Sequence, residues 1–384
     1  MKYRKLIILI LLTVVVVACG ITIGLYNNQN KTEDPSLSIS NGEKMSWTKL
    51  VSDKVITVEN NSIKEIDDTK ISGLLTEGTT FELVIPEDAG ITEIGFDAFT
   101  ECMELTKITI PSTVKYINTD AFYNCDNLET VVFADGSTLE AIGYGAFTYC
   151  EKLSNITVPA SVTRIDQSAF IGCSKLASIN IPASVSVIEH SVFKDCSSLS
   201  TVRIEGTVTK IEPYAFYNCK SLRSINDIIA NVTVIEDSAF ARCDGISEIT
   251  YGSNLTNIGP EAFLDCQGLK RISFKSNKVD FEKGVYRNCI NLTDVELPKS
   301  TDAISDYMFY NCEDLKTITV LRDVQNIGYR AFMNCFNLKI RFENVNWVYS
   351  ESIDFTDPIE IKFDADINSK LVDELADYYF KLNN

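Results

Sequence analysis

The sequence predicts an α/β repeat solenoid, a curved ladder of stacked units that each contain a strand and a turn. Eleven of the twelve cysteines follow one another at intervals of 23 to 25 residues. Most are preceded by an Ala-Phe pair and followed three residues later by Leu, and then by an alternating apolar pair. Only a chain that repeats one structural unit keeps such a pattern in step along most of its length.

The apolar spacing within one unit predicts its local structure. Ile108 and Ile110 alternate with period two, which is typical of a short strand, and Pro111 ends that strand because proline lacks an amide donor. Phe99 and Cys102 are three residues apart, as on one side of a helical or 3₁₀ turn. A unit this short cannot bury its own apolar edge, so we expect stacked units to share one core beneath a parallel sheet.

The unit I-x-x-I-x-x-x-A-F-x-x-C-x-x-L-x-x-I-x-I-P-x-x-V resembles the BspA-like leucine-rich repeat over about residues 81–342. This resemblance implies a right-handed leucine-rich-repeat ladder with its parallel sheet on the concave face and short helical or 3₁₀ turns on the convex face. It also implies a bacterial surface protein, since the family includes adhesins for host extracellular proteins. Two departures stand out: Tyr286 replaces the Phe, and Asp227 occupies an apolar strand position, which predicts a shifted register there.

Residues 1–26 predict a membrane-targeting segment of one of two kinds. A short basic region is followed by an apolar run and then by Cys19 after small residues, which resembles a bacterial lipobox and makes Cys19 a lipidation candidate. The apolar stretch also continues to Tyr26, long enough for an N-terminal transmembrane anchor. Either alternative places the rest of the chain on the outer side of a cytoplasmic membrane, at the bacterial cell surface.

The remaining chain divides into four predicted regions. Residues 27–46 are polar and are expected to be a flexible linker. Residues 47–90 are expected to form an N-terminal cap with one degenerate repeat, and residues 91–342 form the eleven repeats. Residues 343–384 are expected to be a C-terminal cap with a terminal helix, indicated by helical spacing of Leu371, Leu375, Tyr378 and Leu382.

The repeat cysteines are open to three interpretations: buried free thiols, some disulfides, or a metal or redox function. Each shares an inward stripe with Phe and Leu, and cysteine packs well as a small buried hydrophobe, so we favour a structural cysteine ladder. It comprises Cys102, Cys125, Cys150, Cys173, Cys196, Cys219, Cys243, Cys266, Cys289, Cys312 and Cys335.

Composition disfavours several classes of function. The net charge of −18 and a pI near 4.6 disfavour nucleic acid as a partner, because phosphate binding requires clustered cations. The single histidine, His190, has no acid or nucleophile recurring beside it, so we expect no catalytic residue, no metal and no cofactor. We expect a monomer that is not an enzyme and that meets the membrane only through its N-terminal segment.

The residues that flank the inward strand positions predict a binding face. They form a stripe rich in Thr, Ser and Asn, which suits either protein–protein binding of the adhesion type or a purely structural exposed sheet face. The expected partner is an extracellular or host protein or another envelope component; a scaffold role or a glycan-binding module is the alternative. The leading candidates are Lys107, Thr109, Thr157, Asn180, Thr201, Arg203, Asn226, Thr250, Arg271 and Glu296.

Overall fold

The computed structural model describes residues 36–39, 44–75, 78–321, 324, 326–336, 338–343 and 360–363. The segment predicted to carry the lipobox or anchor and the predicted terminal helix lie outside these residues. Among the described residues, no helix combines the length and the apolar character needed to cross a bilayer.

The N-terminal cap begins earlier than the sequence suggests. Its elements are β1 (Ser36–Ile39), β2 (Lys44–Ser46), α1 (Trp47–Ser52), β3 (Ile56–Glu59), β4 (Ser62–Ile66), α2 (Asp68–Leu74), β5 (Phe81–Val84) and a 3₁₀ turn (Glu87–Ala89). Strand β1 pairs antiparallel with both β2 and β5, and Leu37 is fully buried. Part of the predicted linker is therefore sheet, and its apolar residues cover the first coil of the solenoid.

The helices α1 and α2 start at side-chain caps. The amide of Lys49 donates to Ser46 Oγ at 3.3 Å, and the amide of Lys70 donates to Asp67 Oδ1 at 3.0 Å. Ser and Asp accept such bonds from amides that lack a helical partner, which fixes where each helix begins.

One parallel strand row, here called the long ladder, follows the Cys-x-x-Leu step of each coil. After β5 its strands are β7 (Leu105–Ile110), β9 (Thr130–Phe133), β11 (Asn155–Ile156), β13 (Ser178–Ile181), β15 (Thr201–Ile204), β18 (Glu248–Tyr251), β20 (Arg271–Phe274), β22 (Asp294–Glu296), β24 (Thr317–Leu321), β26 (Lys339–Glu343) and β27 (Glu360–Phe363). Pairing is parallel from β5 onward, with interruptions between β11 and β13 and between β15 and β18. The predicted parallel sheet is therefore present.

The second interruption corresponds to the coil that contains Asp227. The sequence predicts a shifted register there, whereas the structure has a turn in which the amide of Ile229 donates to the carbonyl of Ile225 at 3.0 Å. Ile225, Ile228 and Ile229 are buried and Asp227 is exposed. The coil keeps its apolar contacts by bending the chain rather than by sliding the strand.

A second parallel row, the short ladder, consists of two-residue strands on another side of the solenoid. It begins beside β4 and contains β6 (Glu93–Ile94), β8 (Tyr116–Ile117), β10 (Ala141–Ile142), β12 (Arg164–Ile165), β14 (Val187–Ile188), β16 (Lys210–Ile211), β17 (Val234–Ile235), β19 (Asn257–Ile258), β21 (Asp280–Phe281), β23 (Ala303–Ile304) and β25 (Asn326–Ile327). Its inward residues belong to the same core as the long ladder.

Turns, not helices, carry the Ala-Phe-x-x-Cys segments, here called the turn column. Amides in this column bond to the carbonyl three residues earlier, as from Cys102 to Phe99 at 3.1 Å, and to the next coil, as from Phe99 to Ala121 at 2.8 Å. Two residues per coil adopt a left-handed backbone, for example Asp97 and Glu101. The helical detail predicted for the convex face is thus not confirmed; the described helices all precede the repeats.

The core is built from columns of identical side chains. Successive aromatic rings from Phe99 to Phe332 stack nearly parallel with centroids 5.0–5.7 Å apart, and Tyr286 takes the place of one Phe. The repeat Cys, Leu and Ile residues form neighbouring columns that are almost completely buried. Stacking coils thereby removes an apolar edge from water that one coil alone would leave exposed.

Candidate binding surfaces

The outward side chains of the long ladder, together with Ser224 and Asn226 in the coil that interrupts it, form a surface here called the strand face. None of the residues predicted for it is buried: each is exposed or half-exposed, and neighbours lie in register, as Lys107 does with Thr130. The surface comprises Lys107, Thr109, Thr130, Val132, Asn155, Thr157, Ser178, Asn180, Thr201, Arg203, Ser224, Asn226, Glu248, Thr250, Arg271, Ser273, Asp294, Glu296, Thr317 and Thr319.

Polar contacts across the strand face hold its side chains in fixed positions. Thr250 contacts the coils on both sides of it. Its amide donates to Asn226 Oδ1 at 3.0 Å, and its hydroxyl lies 3.2 Å from Ser273 Oγ. Arg271 lies between two carboxylates, 3.9 Å from Glu248 and 3.8 Å from Asp294. These exposed pairs add little stability, but they order a hydrogen-bonding surface.

Two depressions open on the strand face. The larger, about 530 Å³, lies between β9 and β11 and is lined by Val132, Phe133, Asn155, Thr157 and the loop at 134–137. The smaller, about 240 Å³, is charged and is lined by Arg271, Ser273, Asp294, Glu296, Thr317 and Thr319. One depression is therefore mainly apolar and the other mainly ionic.

The cysteine ladder lies in the interior, away from the strand face. All eleven repeat cysteines are buried, and none of them is joined by a disulfide to another described residue. From Cys125 onward each thiol donates to the carbonyl of the aromatic residue in the preceding coil, at 2.9–3.2 Å. Burial raises the pKa of the thiols from Cys125 to Cys312, to about 12 for Cys266, so these are neutral donors and not thiolate nucleophiles.

His190 lies on the solenoid surface beside an aromatic side chain. Its ring centroid is 5.8 Å from that of Tyr214 in an edge-on arrangement. Among the described residues, no group of three or more His, Cys, Asp or Glu side chains could hold a metal ion. His190 thus contributes to an aromatic contact on the surface.

The turn column displays a set of tyrosines and cations that sequence reasoning missed. Tyr307 packs against Tyr310 and Tyr329 at 5.7 and 5.5 Å, and Lys283 and Arg287 lie over Tyr307 and Tyr310 at 5.2 and 5.5 Å. A similar group contains Lys194, Tyr214, Tyr217 and Arg242. A partial signal was present, because Tyr214 and Tyr307 lie five positions, and Tyr217 and Tyr310 two positions, before a repeat cysteine.

Some of these aromatic residues occupy strained backbone positions. Tyr149, Tyr214 and Tyr307 have φ near +55° to +58°, where most other coils place Gly, Ser, Asp or Asn and a few place Glu or Arg. A bulky residue in the left-handed region costs roughly 1–2 kcal/mol, which the ring and cation contacts partly offset. The turn column is therefore a second candidate surface, chemically distinct from the strand face.

Comparison with known proteins gives a family match and several structural likenesses. The family model described as BspA type leucine-rich repeat region matches residues 92–223 and 210–339, with six copies. No curated protein matches.

Among solved structures, the chain is similar to a leucine-rich repeat protein from Bacteroides ovatus, with 23% identity, a TM-score of 0.49, and 77% of this chain and 98% of that chain covered. It is also similar to a leucine-rich cell surface protein from Faecalibacterium prausnitzii, with 22% identity, a TM-score of 0.43, and 77% and 93% covered. A third similar structure is the pneumococcal vaccine antigen PcpA, with 18% identity, a TM-score of 0.43, and 81% of this chain and 86% of that chain covered. At these identities and TM-scores, the likenesses carry no conclusion about function.

Proposed function

The chain belongs to the family of BspA-type leucine-rich repeat proteins, and on that premise we propose that it binds another protein through its strand face at the bacterial cell surface. The observation that carries this proposal is the strand face itself. Its polar and charged side chains are exposed, in register and held by cross-strand contacts along the long ladder. A rigid surface of this kind loses little side-chain entropy when a large partner binds.

The buried chemistry supports a binding role rather than catalysis. The thiols are neutral and bonded to carbonyl oxygens, and the two buried tyrosines, Tyr251 and Tyr286, bond to each other. Leucine-rich-repeat solenoids are typically non-enzymatic, and here the repeat cysteines, Tyr251 and Tyr286 serve the core.

Charge favours a protein partner with a basic surface. The chain carries a net charge of −18, so long-range attraction would accelerate encounter with a cationic partner and oppose encounter with nucleic acid. An adhesion-type role towards an extracellular or host protein follows from this proposal, as does a scaffold role if the partner belongs to the cell envelope.

Export and tethering are part of the same proposal. The basic and apolar segment at 1–26 would direct export, with Cys19 lipidated in one alternative and the whole segment retained as an anchor in the other. Intact-mass measurement of the mature protein distinguishes them: a chain that begins at a lipidated Cys19 supports the lipoprotein, and an uncleaved chain supports the anchor.

A glycan-binding module is a second candidate, favoured by one observation. The turn column exposes aromatic rings, with Tyr144 at 50% and Tyr329 at 40% exposure. Rings of this kind offer flat apolar surfaces beside polar groups, as in many recognition sites.

The test is a binding screen against extracellular-matrix proteins, envelope extracts and glycan arrays. We expect a protein ligand whose affinity falls at least tenfold when Thr201 and Arg203 on the strand face are both changed to Trp, because the bulky rings block contact whatever the charge of the partner. The matched control is Asn257→Trp, which adds the same ring on the short ladder and should leave affinity unchanged. Absence of any protein ligand, or equal loss in the control, would overturn the proposal; a glycan ligand lost on Tyr329→Ser supports the second candidate.

A further inference from the structure

The opening between β9 and β11, here called the strand-face cleft, is the larger of the two strand-face depressions described above. Its volume is about 530 Å³, within the range of about 300–1,000 Å³ found for ligand sites. Val132 and Phe133 lie on one wall, Thr157 and Pro159 on the other, and the loop at 134–137 closes one end.

The cleft exists because two neighbouring strands stop pairing early. The register of β9 with β11 ends at Val131 and Ile156, whereas β13 and β15 remain paired through Ile181 and Ile204. The spacing from Cys125 to Cys150 is also two residues longer than the usual 23. The extra length forms the loop at 134–138 and separates the two walls.

Hydrogen bonds hold both walls in place. On the loop side, the amide and hydroxyl of Thr138 both donate to the carbonyl of Ser112, at 3.0 and 2.7 Å. On the opposite side, the Asn180 side chain accepts from the amide of Val158 at 2.9 Å and donates to its carbonyl at 2.8 Å. Asn180 thereby replaces the strand partner that β11 lacks on this side, and the cleft is preformed.

The chemistry of the lining specifies what the cleft would accept. Val132 is 37% exposed, and Phe133 and Pro159 are half-buried, so the cleft presents apolar surface to solvent. Asp135 on the rim is exposed, is the single charged residue of the lining, and forms no ion pair with any residue that the structure describes. An apolar recess beside an uncompensated carboxylate is complementary to an apolar group beside a cation.

We propose that the strand-face cleft binds an apolar side chain of a protein partner, with an adjacent Lys or Arg of that partner at Asp135. This inference rests on the proposed function and assigns the anchor point within the strand face. Buried apolar anchors in preformed recesses contribute a large share of affinity at protein interfaces, whereas exposed polar contacts around them contribute less. The rest of the strand face would then provide orientation and water exclusion.

The test uses the full chain and three short probes: N-acetyl-Phe-Arg-amide, N-acetyl-Phe-Glu-amide and N-acetyl-Gly-Arg-amide. Titration followed by ligand-observed NMR gives a dissociation constant for each. We expect saturable binding of the Phe-Arg probe, and at least fivefold weaker binding of the Phe-Glu and Gly-Arg probes. Thr157→Trp fills the cleft and should abolish binding, whereas the matched control Thr209→Trp, at an exposed position just before the short-ladder strand β16, should not.

The variant Asp135→Asn tests the charge without altering the cleft walls. We expect it to bring the Phe-Arg and Phe-Glu probes to similar affinity. No saturable binding of the Phe-Arg probe, or equal binding by the wild type and Thr157→Trp, would overturn the proposal. Binding of N-acetylglucosamine oligomers at the cleft in place of the peptide would also overturn it.

The affinities of the variants for the screened protein ligand distinguish a wrong cleft proposal from a wrong proposed function. If the screened protein ligand binds Thr157→Trp and Asp135→Asn as tightly as the wild type but is lost with the Thr201 and Arg203 changes, the proposed function stands and the cleft proposal falls.

Discussion

Cysteine recurs at one position of the repeat because its side chain satisfies two requirements there. The position is fully buried beside the aromatic column, so the side chain must be small and apolar. It also faces the carbonyl of the preceding aromatic residue, as Cys219 faces Phe193 at 3.1 Å, so a weak donor is useful. A thiol fulfils both, and burial keeps it protonated by raising its pKa.

Thiol reactivity provides a direct prediction. In the native protein at pH 8, we expect none of the eleven repeat cysteines to react with a thiol-specific disulfide reagent, because they are buried and neutral. After denaturation all eleven should react, as counted by absorbance. Fewer than eleven reactive groups in the denatured protein would indicate disulfides, and rapid labelling of any repeat cysteine in the native protein would contradict the burial of the ladder. Cys19, which lies outside the ladder, adds one reactive thiol wherever it is not lipidated.

Tyr286, the one tyrosine in the aromatic column from Phe99 to Phe332, is paired with a second buried tyrosine, Tyr251 of β18. Their hydroxyls lie 2.8 Å apart and both side chains are fully buried. Changing either one to Phe leaves the other hydroxyl without that partner, so we expect a loss of about 1–3 kcal/mol in the free energy of unfolding.

The double change to Phe removes both hydroxyls and should cost less than the two single changes together, within about 1 kcal/mol of the wild type. Urea denaturation of the four proteins gives the coupling. Additive losses would show that the hydroxyl–hydroxyl bond is unimportant.

The short ladder places carboxylates from neighbouring coils close together. Asp166, Glu189 and Glu212 follow the strands β12, β14 and β16 at the same repeat position. Burial, and then the charges of Glu212 and Asp166, raise the pKa of Glu189 above its usual 4.5, while Lys210 and Arg164 oppose this shift. The folded state therefore accommodates the neutral acid of Glu189 better than the carboxylate that is present at neutral pH.

We therefore expect Glu189→Gln to stabilise the protein at pH 7, by less than about 1 kcal/mol because solvent screens the charges. A raised carboxyl pKa lowers stability as pH rises through it, so the advantage of the variant should disappear below pH 4.5, where Glu189 is also neutral. Thermal unfolding between pH 3.5 and 7 measures the difference. The control is Glu205→Gln, an exposed carboxylate that should have no effect; a stabilisation independent of pH would contradict the explanation.

At the scale of the whole molecule, stability is the sum of many contacts between neighbouring coils. Backbone pairs, aromatic rings and thiols all connect one coil to the next, and the two ladders repeat this pattern from β4 and β5 onward. Such a chain should tolerate loss of one whole coil but not loss of a fraction of a coil.

Deletion of residues 103–125 removes one coil and joins Cys102 to Asp126, which preserves the three-residue step from Cys to Leu. We expect cooperative unfolding with a free energy lower by roughly 1–3 kcal/mol, from about 0.05–0.15 kcal/mol per residue. Deletion of residues 103–114 alone shifts the columns out of step and should abolish cooperative unfolding. Circular dichroism and calorimetry make the comparison; equal behaviour of the two deletions would contradict a stack of interchangeable coils.

The sequence by itself determined the repeating unit, the buried columns and the outward strand residues. These depend on local periodicity: Phe99, Cys102 and Ile108 show their inward direction by spacing alone, and Thr109 its outward direction. Tertiary structure decided the features that arise between coils. The short ladder consists of two-residue strands, too brief to give a periodic signal, and β1 joins the cap by pairing with β2 and with the distant β5.

The strand-face cleft is likewise a difference between two neighbouring coils, one longer than the other, closed on its far side by Asn180. No single unit contains that information, because the cleft exists only where unequal coils are stacked. The left-handed turns also depend on the neighbouring coil. Its carbonyls, such as that of Ala121, accept hydrogen bonds from the amides of the turn and so stabilise a backbone conformation that is disfavoured locally.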